Sequence, residues 1–170
     1  GALADGATSA YFNNSLTDLV TIPSTLKIPA NTAVTVEFWT KTNLQSNDSS
    51  HFTIGNLDFP NRMQSHVTTS SNSSIYWDFG DHRVAANRIV STYGAGNYGA
   101  WTHVALTGSP TDFRKLYING VLTDSSTATG AVGSDLYGGY IGGFPATSYY
   151  TIANIQDFAI YNTDLNASQI

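Results

Sequence analysis

The chain contains no cysteine, one glutamate and three lysines. Without cysteine there is no disulfide framework, no thiol nucleophile and no cysteine-ligated zinc or iron–sulfur site. The lone glutamate, Glu37, weighs against a glucan-hydrolysing carboxylate pair. A retaining glycosidase needs two carboxyls ~5 Å apart. The same-face neighbour of Glu37 on a strand, ~6.5 Å away, is Trp39. Positive charge is scarce too: seven Lys and Arg against twelve Asp and Glu give a net charge of −5. Nucleic acid and anionic membrane surfaces both call for a basic stripe, so neither is an expected partner. No apolar run approaches the ~20 residues of a membrane span. No signal peptide is evident, and the chain opens on Gly1 rather than Met. It is therefore expected to be a module of a larger, processed polypeptide.

Serine and threonine supply 39 of the 170 residues. Helix formers are few and strand formers many, which predicts an all-β protein. The length fits one domain, spanning 1–170, that buries roughly 70% of its unfolded surface. Low charge with abundant Thr, Ser, Asn and Gly suggests an extracellular, cell-surface or virion-surface setting. Four Asn-x-Ser sequons, at Asn13, Asn47, Asn72 and Asn166, are about what chance gives in so Asn- and Ser-rich a chain and carry no inference.

Period-two alternation recurs. Val34, Val36 and Phe38 share one face of VTVEFWTK, with Thr35, Glu37, Trp39 and Lys41 on the other. WTHVALT sets Val104 and Leu106 against His103 and Ala105. KLYIN sets Leu116 and Ile118 against Tyr117 and ends in Asn119-Gly120, a strong hairpin signal because both residues tolerate positive φ; Val121–Thr123 is the return strand. Towards the end, Gln156, Phe158 and Ile160 are expected on one side. Polar breakers at 43–50, 68–74, 93–99 and 125–134 separate these segments. The pattern predicts an antiparallel two-sheet sandwich. A short C-terminal helix is expected, capped by Asn166 with Gln169 in capping-box register.

The order AYFNNSLTDLVTIP, VTVEFWTK, WTHVALT, KLYINGVLTD, YIGG, IQDFAIYNTDLNASQI resembles the laminin-G-like branch of the concanavalin A-like lectin/glucanase jelly rolls, over about 10–170. The resemblance implies two stacked antiparallel sheets in a jelly roll and a glycan-binding or adhesive module, often with bound calcium. Some members serve as structural pieces of viral fibres and capsids. It places Gln156 where an aspartate is common, with Asp157 beside it, as candidate calcium ligands. An amide oxygen is the weaker ligand of the two.

The densest polar stretch is SSIYWDFGDHRVAANRI. Ile75, Trp77 and Phe79 read as core, with Gly80–Arg83 as the turn. Asp78 either pairs with Arg88 to fix that hairpin or joins Tyr76, Asp81, His82 and Arg83 in a ligand-facing rim. The outward sets also include Glu37, Trp39 and His103. An aromatic ring flanked by a carboxylate and an imidazole suits a sugar, whose apolar face covers the ring while its hydroxyls hydrogen-bond. Tyr98, with Tyr93 and Asn97 in the glycine-rich loop, and Tyr149 and Tyr150 are further rim candidates. The histidines show no metal-ligand spacing, and no Gly-x-Ser-x-Gly elbow occurs. The expected function is therefore a non-catalytic lectin-like adhesion module for surface glycans. The alternative is a phage or viral fibre or capsid-decoration domain whose outward aromatics bury against copies of itself or other virion proteins.

Overall fold

The alternation in Val34–Thr42 resolves as expected in the computed structural model of the chain. Val34, Val36 and Phe38 are at most 1% exposed and face the interior. The structure describes residues 6, 8–43, 48–56, 61–68, 73–81, 83–129 and 132–170. In spatial order, the first sheet runs β1 (Ala10–Asn13), β14 (Ile152–Tyr161), β3 (Val34–Thr42), β8 (Thr102–Gly108), β9 (Phe113–Ile118) and β10 (Val121–Thr129). The second runs β2 (Val20–Ile28), β11 (Leu136–Ile141), β4 (Ser49–Gly55), β5 (Arg62–Thr68), β6 (Ser74–Phe79) and β7 (Arg88–Thr92). A small hairpin, β12 (Gly143–Phe144) with β13 (Tyr149–Tyr150), completes the set. Every described pairing within the two large sheets is antiparallel. This is the expected all-β jelly-roll sandwich.

The core lies between the two sheets. Phe38 of β3 meets Phe52 of β4 edge to face at 5.9 Å and stacks on Phe158 at 5.8 Å. Ile75, Trp77 and Phe79 of β6 are buried with them, as their alternation implied. The Trp77 indole N–H donates to the Thr107 carbonyl of β8 at 3.3 Å, which satisfies the ring's polar edge across the two sheets. Asn119 and Gly120 both adopt positive φ, 52° and 75°, and turn β9 into β10 as the Asn-Gly pair predicted.

A cluster of polar groups is built into this interior. His51 is fully buried, with Nε2 2.9 Å from Thr42 Oγ1 and Nδ1 3.3 Å from Ser65 Oγ. Burial, with a smaller contribution from His66, pulls its pKa down from 6.5 to about 3. Below pH 6.5 the unfolded chain takes up a proton here that the folded chain refuses. This contribution to stability is therefore full above pH 6.5 and is lost as pH falls towards about 3. The loss is about 1.4 kcal/mol per pH unit. Urea unfolding between pH 7 and pH 4 should show a steeper fall for wild type than for His51→Asn. Parallel curves would place the acid sensitivity elsewhere.

Three expectations need correction. The C-terminal helix does not form. Asn166 does cap, its Oδ1 accepting from the Ser168 N–H at 3.0 Å, and Gln169 Oε1 accepts from the Asn166 N–H at 3.0 Å. The described residues form a hydrogen-bonded turn there, with the Gln169 and Ile170 N–H groups both donating to the Asn166 carbonyl. Secondly, Gln156 does not share a side with Phe158 and Ile160. The register slips between Gln156 and Ala159, with Asp157 at φ 52°, so this bulge turns Gln156 towards Trp39 while Phe158 and Ile160 pack on the core. Thirdly, β10 extends to Thr129, into the stretch read as a polar breaker, because edge pairing with β9 needs no apolar face.

Candidate functional site

The outer face of the first sheet is assembled by register. Trp39 stands opposite His103 on β8 and Gln156 on β14, and Glu37 stands opposite Ala105 and Ala159. Trp39 and His103 rings lie 5.2 Å apart. The Glu37 carboxylate is held from two sides. The Tyr161 hydroxyl donates to Oε1 at 2.6 Å, and His103 Nε2 lies 3.4 Å from Oε2. That bond, followed by burial, raises the Tyr161 pKa. The β9–β10 turn is clasped to the same histidine: the His103 N–H donates to Asn119 Oδ1, and the Asn119 N–H to the His103 carbonyl, both at 2.9 Å.

The segment after β14 folds back over this face. Thr35 Oγ1 donates to the Thr163 carbonyl at 2.7 Å and accepts from the Leu165 N–H at 2.9 Å. Glu37, Trp39, His103, Asn119, Gly120, Gln169 and Ile170 line an open depression of about 400 Å³. It offers a half-buried indole, a carboxylate acceptor, an imidazole and two amides. Sequence reasoning named the first three. Asn119 was read only as a turn residue and Gln169 only as a capping residue, because the contact between hairpin, tail and β3 is not local in sequence.

Tyr76 and Asp78 do not join this set. They lie on the outer face of the second sheet, on the far side of the sandwich. Asp78 is fully buried and paired bidentately with Arg88 across β6 and β7: Nε to Oδ1 at 2.5 Å and Nη2 to Oδ2 at 2.6 Å. Burial opposes the Arg88 charge, and the bond and charge of Asp78 outweigh it, so the Arg88 pKa is raised. Tyr76 is stacked on His66 at 4.5 Å and 3°, with the Arg88 guanidinium 4.7 Å from its ring centroid. Both Tyr76 and Asp78 are thus committed to internal contacts, as the hairpin-fixing alternative held.

Asp81 closes the turn that follows. Its carboxylate accepts from the Arg83 backbone N–H at 3.0 Å and from the Arg83 side chain at 2.6 Å. His82 lies outside the described residues. Tyr98 packs edge to face on Tyr93 at 5.1 Å, and Tyr93 is fully buried with its pKa raised by burial to about 12. Tyr93 is therefore not a rim ring, while Tyr98 is half-buried.

Gln156 and Asp157 fit calcium poorly. The Gln156 side-chain amide donates to Asp157 Oδ2 at 3.0 Å, so the pair offers one carboxylate already engaged by its neighbour. Calcium takes six to eight oxygens, usually with more carboxylate than this. Among the described residues no group of three or more His, Cys, Asp or Glu is placed to hold a metal ion. Hydrolytic chemistry is no better supplied on the first sheet's outer face, where Glu37 is partnered by Tyr161 and His103 and not by a second carboxylate.

A family model for the concanavalin A-like lectin/glucanases superfamily matches residues 13–170. The chain belongs to this superfamily. A SAP-like pentraxin from Limulus polyphemus, crystallised as a heptamer, matches with a TM-score of 0.63 at 16% identity, over 89% of this chain and 78% of that one. The botulinum neurotoxin serotype D ligand binding domain, in complex with N-acetylneuraminic acid, matches with a TM-score of 0.65 at 17% identity, over 89% of this chain and 37% of that one. A Trypanosoma rangeli sialidase matches with a TM-score of 0.61 at 20% identity; the match covers 82% of this chain but only 22% of the sialidase. At such identities the likeness is one of fold. No curated protein sequence matches the chain.

Proposed function

We propose that this superfamily member is a non-catalytic carbohydrate-binding module that recognises glycans at a cell or other extracellular surface, through the depression around Trp39. The observation that carries the reading is the half-buried indole set among Glu37, His103 and Asn119 at the rim of an open cavity. A sugar ring can lie on the indole while its hydroxyls reach a carboxylate that is already oriented by Tyr161 and His103. The superfamily match supports it. Hydrolysis is disfavoured because the partners of Glu37 on this face, Tyr161 and His103, include no second carboxylate.

The test is a glycan array probed with the purified chain, followed by titration of the best ligand. Trp39→Ala should weaken binding by about 30-fold, equivalent to losing ~2 kcal/mol at a central aromatic anchor. Its melting temperature should stay close to wild type, since Trp39 faces outward. Undiminished affinity would move the site off this face. Silence across the array, together with a symmetric oligomer in solution, would favour an assembly role instead.

A further inference from the structure

We infer that the glycan taken at the Trp39 depression ends in a sugar without a carboxylate: a neutral hexose or hexosamine, not a sialic or uronic acid. This rests on the glycan reading of that site. Among the described side chains lining the depression, Glu37 alone carries a fixed charge. Its carboxylate is oriented, with Tyr161 O–H on Oε1 and His103 near Oε2, and its side chain is only 19% exposed. A carboxylate has about four acceptor sites, so both oxygens keep capacity for sugar hydroxyls. Such bonds are charge-assisted and stronger than neutral ones.

A ligand carboxylate would meet the same group as a like charge across an open depression, where the repulsion exceeds that between two fully solvated charges and salt still reaches it. The other lining groups, the Trp39 ring and the Asn119 and Gln169 amides, are neutral. His103, the other titratable group, is tied to the same carboxylate. Lys41 lies two residues beyond Trp39 on the same face, but it is exposed and does not line the depression. Asp157, exposed on β14 next to the residue opposite Trp39, offsets it.

The experiment is an array of neutral glycans, each beside its sialylated or uronate-bearing counterpart. It is probed with wild type at low and high salt, and with Glu37→Gln and Trp39→Ala. For every Trp39-dependent ligand, the neutral member should bind at least about tenfold more tightly at low salt, because like-charge juxtaposition is strongly unfavourable. The gap should narrow at about 1 M salt, where the screening length falls to ~3 Å. It should also narrow in Glu37→Gln. Trp39-dependent binding that is equal or tighter for the acidic member overturns this inference and leaves the glycan reading standing. Absence of any Trp39-dependent glycan removes both. Should Glu37→Gln fail to fold, the wild-type salt series still decides.

Discussion

Arg88→Ala is expected to destabilise the domain by about 3–5 kcal/mol, because it leaves the Asp78 carboxylate charged, buried and without its bidentate partner. For a domain of this size, ~2–4 °C of melting temperature is lost per kcal/mol. The midpoint should therefore fall by roughly 6–20 °C. The lower end is favoured, because Arg62 still acts electrostatically on Asp78 and His66 Nδ1 lies 3.7 Å from Oδ2. Arg88 also covers the Tyr76 ring, so part of the loss is packing. Replacing both partners, as in Asp78→Leu with Arg88→Met, should recover most of it, since a buried ion pair is a weak net stabiliser compared with packed apolar groups. Thermal melts of the two single variants and the double variant check this. A double variant as unstable as Arg88→Ala would show that the pair specifies the β6–β7 register in a way that packing cannot replace.

Trp77→Ala is expected to cost about 3–5 kcal/mol, the range for removing a large aromatic from a packed core. The ring is fully buried, 5.3 Å from Phe79 and 6.1 Å from Phe52, and its N–H reaches the opposite sheet at Thr107. Trp77→Phe separates the two contributions. It keeps most of the ring contacts and loses the inter-sheet hydrogen bond, a net contribution of about 1 kcal/mol, plus the smaller volume. Urea unfolding of both variants tests the division. If Trp77→Phe were as damaging as Trp77→Ala, the indole N–H and not the bulk of the ring would be what joins the sheets there.

Much of the fold was legible because half-buried strands alternate. Val36 and Phe38, Val104 and Leu106, and Leu116 and Ile118 all point inward as their spacing required, and Asn119-Gly120 turned where it should. Strand β4 was not legible. Ser49 to Ile54 is buried at every position, because the inner side packs on Phe38 while the β12–β13 hairpin lies against the strand's other side, and Thr53 Oγ1 donates to the Gly143 carbonyl there. A strand covered on both sides loses the alternation that betrays it. The bulge at Asp157 failed for a related reason: one extra residue reverses the parity of everything after it, and no local signal in QDFAI announces it.

The candidate site divides in the same way. The sequence by itself determined which residues point outward on β3 and β8, since strand parity follows from burying Val36 and Val104. It determined equally that Glu37 has no second carboxylate nearby along its own strand. Only the tertiary structure decided that Tyr76 and Asp78 face away from Trp39. Parity says whether a side chain is inside or outside, but not on which of the two sheets its outside lies. Tertiary pairing also brought Asn119 and Gln169 to the depression and delivered Tyr161 to Glu37 from 124 residues away. Contacts between distant strands are fixed by how two sheets stack and by where a bulge resets the register, and neither is written in any short stretch of chain.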